Sequence, residues 1–194
     1  MDEFAIVDGI DPRSLIEPDE VYVPWAEAAH LAHEVVLKLM PIVEKFGPFD
    51  TIVAIKHGGT SSASLIERVI PHGVVRYARL KRAETKLTER DSPSPTIVYF
   101  PDEADIADKR VLGWDEVWES GKSGIRVIQE LERLGARSIE FATLHFKPEC
   151  NHFGRTPTVY GAEIDRKYRC YPWELWERMA KARLDRAKVL LTKA

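Results

Sequence analysis

The chain has 194 residues, 44% hydrophobic and 30% charged, which supplies core enough for one large α/β domain with a solvated surface. Its 28 basic and 31 acidic residues give a formal net charge of −3, which argues against a nucleic-acid or polyanion binder. No apolar run approaches the roughly 20 residues that span a bilayer, and the two cysteines, Cys150 and Cys170, do not make a disulfide framework.

The opening MDEFAIVDGIDPRS is acidic and lacks the basic, then apolar, pattern of a signal peptide, so a cytoplasmic protein is expected. From Trp25 to Phe46 apolar residues recur at helical spacing, and Gly47-Pro48 stops the run. His30 and His33 lie one turn apart there without an acid or cysteine at metal spacing, so they read as surface histidines. FDTIVAIK (49–56) reads as a buried strand, and His57-Gly58-Gly59-Thr60 turns the chain into a second helix over 61–69. GVVRYARL (73–80) is another strand.

Residues 81–95, KRAETKLTERDSPSP, are polar and punctuated by proline, which predicts a long mobile loop of a kind usually functional. TIVYF (96–100) and RVLGW (110–114) read as strands, 121–134 as a helix with Ile125, Ile128, Leu131 and Leu134 on one face, and SIEFATLHF (138–146) as a strand. His145, Cys150 and His152 match no zinc spacing. TVYGAEI (158–164) is a short strand candidate. The C-terminal WELWERMAKARLDRAKVLL is a basic amphipathic helix, its Trp173 and Trp176 read as packing.

Strands alternating with helices predict a largely parallel sheet covered on both faces, with ligands outside the carboxyl ends of the strands. Both glycine-bearing turns, at 57–60 and 115–123, follow strands and so belong on that edge.

The segment VLGWDEVWESGKSG (111–124) carries Asp115, Glu116 and Glu119 before Ser-Gly-Lys-Ser. A nucleotide P-loop needs glycine where Glu116 stands, so that reading fails. Backbone N–H groups and hydroxyls of 120–124, at the positive end of the following helix, suit one phosphate. Carboxylates upstream suit sugar hydroxyls or a cation. A ribose 5-phosphate satisfies both halves.

These residues resemble the phosphoribosyl-pyrophosphate (PRPP) signature of type I phosphoribosyltransferases. IVAIKHGG (52–59) resembles the family's pyrophosphate loop, and VYGAEIDRKYRCYPWE (159–174) the base-binding segment of its 6-oxopurine salvage branch. The resemblance implies an α/β fold with a mainly parallel sheet flanked by helices and a small hood formed by terminal segments. It implies one domain over 1–194, with 81–95 as a mobile loop closing over substrate and 147–174 as the hood segment.

By the same resemblance, Lys56, His57, Gly58 and Gly59 contact pyrophosphate, and Asp115 and Glu116 hold the ribose hydroxyls directly or through Mg²⁺. Glu119, Ser120, Gly121, Lys122 and Ser123 form the 5′-phosphate loop. Glu119 also moves a proton at purine N7, Lys147 donates to the C6 oxygen, Tyr168 stacks on the base, and backbone groups of Arg169 and Cys170 meet its edge. The implied activity is transfer of phosphoribosyl from PRPP to hypoxanthine, guanine or xanthine in a homodimer or homotetramer. No nucleic-acid or membrane partner is implied. The alternative is a PRPP or nucleotide sensor of the same fold, favoured by two departures from the family pattern: His57 for a basic residue and Glu119 for aspartate.

Overall fold

Near-continuous apolar strands can be buried on both faces only if helices cover both, and the chain folds accordingly. The computed structural model describes Phe4, Ile6, residues 9–82 and residues 92–191. A short strand Val21–Tyr22 (β1) precedes helix Trp25–Phe46 (α1), strand Phe49–Lys56 (β2) and helix Gly58–Ala63 (α2). Strands His72–Lys81 (β3), Thr96–Tyr99 (β4) and Arg110–Trp118 (β5) follow, then helix Lys122–Arg133 (α3). Strands Ser138–Phe146 (β6), Val159–Glu163 (β7) and Arg169–Cys170 (β8) lead to helix Pro172–Leu191 (α4). The chain divides into a large unit, Ala29–Arg166, and a unit built from its two terminal segments, Met1–Ala28 and Lys167–Ala194.

The large unit holds a six-stranded sheet in the order β4-β3-β2-β5-β6-β7. Every neighbouring pair is parallel except β3 and β4, which are antiparallel. On one face Val53, Ile55, Val111 and Phe141 pack with Val127, Ile128 and Leu131 of α3. On the other, Trp114 meets Ser62 of α2, and Leu31 of α1 occupies the space beside Gly161 of β7. Buried Arg110 stacks on Phe49 at 4.4 Å and donates to the carbonyls of Gly47 and Ile42. It thereby fixes the turn from α1 into β2 against the start of β5.

The order of strands creates the crevice. From β2 the chain moves outward to β3, and from β5 it moves the opposite way to β6, so these neighbours flank the switch point where ligands bind in such sheets.

Strand β5 and helix α2 differ most from the sequence reading. Strand β5 continues past Trp114 to Trp118, pairing Asp115 with Thr143, Val117 with His145 and Trp118 with Phe146. The acids end the apolar run without ending the backbone ladder. Helix α2 starts at Gly58 rather than 61 and ends at Ala63, with turns carrying the chain to Val69.

In the terminal unit β1 pairs in parallel with β8, Val21 opposite Arg169 and Tyr22 opposite Cys170. Arg178 grips both oxygens of Glu20 at 2.6 and 2.7 Å and also donates to Leu15 O at 2.8 Å. Trp173 is buried and stacks on Tyr171 at 4.9 Å, while Trp176 remains exposed beside Trp25.

Candidate functional site

Strand β2 delivers Lys56 to the sheet edge, the Lys56–His57 peptide is cis, and His57 caps α2. The carbonyl of His57 accepts from Thr60 Oγ1 at 2.6 Å. Gly58 and Gly59 then press on the end of β5. A Cβ on Gly58 would overlap the Glu116 carboxylate, and one on Gly59 would lie 2.8 Å from Trp114 O and 2.9 Å from Asp115 Oδ1. Trp114 Nε1 donates to Ser62 Oγ at 2.9 Å, and the Ser62 hydroxyl reaches the carbonyls of Gly58 and Gly59 at 3.1 and 3.3 Å. The pyrophosphate-loop candidates and the acids therefore share one compact edge.

Asp115 Oδ1 accepts from the Glu116 backbone N–H at 3.0 Å. Burial raises the Asp115 carboxyl above the usual carboxylate range, opposed by its hydrogen bonds from Glu116. Burial raises Glu116 well above its usual value, and the neighbouring Asp115 charge pushes the same way. Two crowded oxygen donors that resist ionisation suit a hard divalent cation or the hydroxyls of a sugar, either of which offsets the cost of their charge. Among the described residues no cluster of three or more histidine, cysteine or acidic side chains could hold a metal. A cation held by these two acids would need its remaining ligands from elsewhere.

Next, Gly121 adopts φ +87°, a left-handed turn that suits glycine, and starts α3. The helical ladder begins with Ile125 N to Gly121 O at 2.8 Å, so the N–H groups of Lys122, Ser123 and Gly124 fall outside it. These donors and the helix dipole favour an anion. Lys122 Nζ donates to Ser92 Oγ at 2.9 Å and to Ser92 O. A small cleft is lined by Arg82, Asp115, residues 117–124 and Phe141. The expected mobile loop falls mostly on residues 83–91, which lie outside the described residues.

Glu119 follows β5 and Lys147 follows β6. Because these strands are parallel neighbours and Lys147 N donates to Trp118 O at 2.9 Å, the two side chains meet. Lys147 Nζ lies 2.6 Å from Glu119 Oε1, with the lysine side chain 2% exposed and the glutamate 21%.

The structure thus brings Lys56–Gly59, Asp115, Glu116, Glu119–Ser123 and Lys147 to the ends of β2, β5 and β6. Tyr168, Arg169 and Cys170 belong to the terminal unit, where Tyr168 OH donates to Glu174 Oε1 at 2.7 Å. Burial there pushes the Cys170 thiol up to about 11, leaving it inert. Sequence reasoning missed Ser62 and Arg82. Ser62 carries no local signal, and Arg82 is marked only by its place at the end of β3.

A sequence model of the phosphoribosyl transferase domain matches residues 26–173. The chain belongs to this family. Its domain is that of a transferase, and the sheet with its flanking helices is the type I phosphoribosyltransferase fold. No curated protein matches the chain in sequence. The phosphoribosyltransferase domain superposes on a purine phosphoribosyltransferase from Pyrococcus horikoshii Ot3 with a TM-score of 0.63 and 28% identity, covering 80% of this chain and 94% of that one. A hypothetical protein from Neisseria gonorrhoeae with bound ppGpp gives 0.65 at 19% identity, covering 87% and 97%. A hypoxanthine-guanine phosphoribosyltransferase from Bacillus anthracis gives 0.58 at 19% identity, covering 75% and 90%, a likeness of fold.

Proposed function

We propose that this phosphoribosyltransferase transfers the 5-phosphoribosyl group of PRPP to a 6-oxopurine (hypoxanthine, guanine or xanthine), giving a nucleoside 5′-monophosphate and pyrophosphate. The observation that carries the choice of acceptor is the buried Lys147 ammonium held 2.6 Å from Glu119, beside the 120–124 loop. An ammonium donates hydrogen bonds and never accepts them, which favours an oxo group over an amino group at C6. The likeness to the Pyrococcus horikoshii purine phosphoribosyltransferase supports a purine acceptor.

In this reading residues 120–124 hold the 5′-phosphate, and Lys56, His57, Gly58 and Gly59 meet the pyrophosphate. As the bond from ribose C1 to pyrophosphate breaks, its electron pair leaves on the pyrophosphate oxygen, and a purine ring nitrogen supplies the pair for the new bond. Positive charge builds on the sugar, and the carboxylates of Asp115 and Glu116, at the hydroxyl edge, stabilise it. Glu119 exchanges a proton at N7. Asp115 and Glu116 would also hold Mg²⁺, which neutralises the leaving pyrophosphate when bound. The roles of Tyr168, Arg169 and Cys170 toward the base rest on the family resemblance.

Incubation with PRPP, Mg²⁺ and single purines tests the reading. Pyrophosphate release with 6-oxopurines and little with adenine is expected. Release with adenine as fast as with hypoxanthine would overturn the acceptor class, and PRPP binding without turnover would mark a sensor.

A further inference from the structure

The phosphate loop lies on an aromatic ring. Trp118 is 2% exposed, and its indole fills the space that side chains at Gly121 and Gly124 would need. A Cβ on Gly121 would lie 2.8 Å from the indole Nε1, and one on Gly124 would overlap the six-membered ring. Behind the indole, Phe141 meets it edge to face at 5.1 Å and 78°. Phe141 in turn occupies the room left by Gly113, and its backbone is fixed by Thr158 through bonds of 3.0 and 2.7 Å. Both rings line the cleft formed by the loop.

Gly124 sits inside α3, where alanine would be the better helix former. The ring explains why glycine belongs there: no other residue leaves room for the indole. A Gly-Lys-Ser-Gly sequence is also conformationally loose, and a rigid surface beneath it removes alternatives that phosphate binding would otherwise have to suppress.

We propose that Trp118 is a positioning residue for the phosphate loop: its indole, backed by Phe141, holds the backbone of residues 120–124 in the conformation that receives a phosphomonoester. This rests on the reading of 120–124 as the 5′-phosphate site. It adds a residue that acts through the loop and touches neither reacting atom.

The test titrates ribose 5-phosphate by calorimetry into wild type, Trp118→Phe, Trp118→Leu, Gly124→Ala, Ser123→Ala and the double variant Gly124→Ala/Trp118→Leu, with PRPP kinetics on each. Trp118→Leu is expected to weaken ribose 5-phosphate roughly tenfold and to raise KM for PRPP more than it lowers kcat. Trp118→Phe, which keeps a ring, should lose less. Gly124→Ala should weaken binding in the wild-type background and cost little more once Trp118 is leucine, because the collision is then gone. Should Trp118→Leu fail to fold, Trp118→Phe and Gly124→Ala decide. Wild-type affinity in those variants, or an equal Gly124→Ala penalty in both backgrounds, overturns the inference while a weakened Ser123→Ala leaves the phosphate site standing. A wild-type protein that ignores ribose 5-phosphate sinks both.

Discussion

Lys147 and Glu119 are joined at 2.6 Å across the ends of two parallel strands, and the lysine is almost wholly buried. Sequence separation of 28 residues disappears because the backbone ladder of β5 and β6 runs on into Lys147 N and Trp118 O. A pair held this way places a donor and a proton acceptor side by side, as the proposed oxopurine acceptor would need at its C6 oxygen and N7.

Removing the cation leaves a carboxylate stranded. Lys147→Ala is expected to lower stability by about 3 kcal/mol, seen as a drop in denaturant midpoint. It should also relax discrimination between oxo and amino groups at C6, seen in the ratio of kcat/KM values for hypoxanthine and adenine. Lys147→Met keeps the volume and should lose less stability while relaxing the discrimination equally.

Glu119→Gln keeps the shape and a hydrogen-bonding oxygen but removes the proton acceptor. Turnover should fall by roughly 10² to 10⁴, with PRPP affinity changed far less, as measured by steady-state kinetics and calorimetry. Unchanged turnover would remove Glu119 from proton transfer.

The paired acids make an unusual stability profile. Because burial raises both carboxyls, the unfolded chain ionises them at lower pH than the folded one. Their contribution is most favourable below the ordinary carboxylate range and is lost as pH rises through the raised values. Glu116→Gln is therefore expected to melt higher than wild type at neutral pH, the difference vanishing near pH 4, while PRPP binding is lost. Melting curves across pH 4 to 8 check this. A variant that melts lower at every pH would contradict it.

The opposite sign applies in the terminal unit. Hydrogen bonds from Arg178 hold the Glu20 carboxyl below its usual range, so its stabilisation is present above the ordinary carboxylate pKa and is lost as pH falls through the lowered value. Glu20→Gln should cost about 2 kcal/mol at pH 7 and almost nothing near pH 2, by pH-dependent denaturation.

Ser62 links Trp114 to the glycine turn. Ser62→Ala leaves the Trp114 indole N–H without its acceptor in a buried site and frees the Gly58 and Gly59 carbonyls. A loss of about 1 to 3 kcal/mol is expected, together with weaker pyrophosphate binding by calorimetry.

Much of the scaffold was legible. FDTIVAIK and SIEFATLHF became β2 and β6 residue for residue, and Trp25–Phe46 became α1, because strands buried on both faces and a long amphipathic helix leave strong local patterns. The end of β5 was not legible, since side-chain polarity at Asp115 and Glu116 says nothing about whether the backbone stays paired. Likewise α2 begins at two glycines of poor helical propensity because packing on β5 overrides it. The acids and the SGKS loop could be picked out by type and spacing, but the Lys147–Glu119 contact needed the strand register, and the packing of Trp118 under Gly124 needed the third dimension.

Strand β4 runs antiparallel to β3, so the two are joined as a hairpin whose stem ends beside the carboxyl edge of the sheet. The end of β3 and the start of β4 lie side by side, and the entropy of closing a connection between two such points grows only slowly with its length. Extra residues spliced in there, or a dye-bearing insert, would leave the sheet's winding untouched while standing at the rim of the crevice, which makes that hairpin the natural place to attach a reporter of ligand entry.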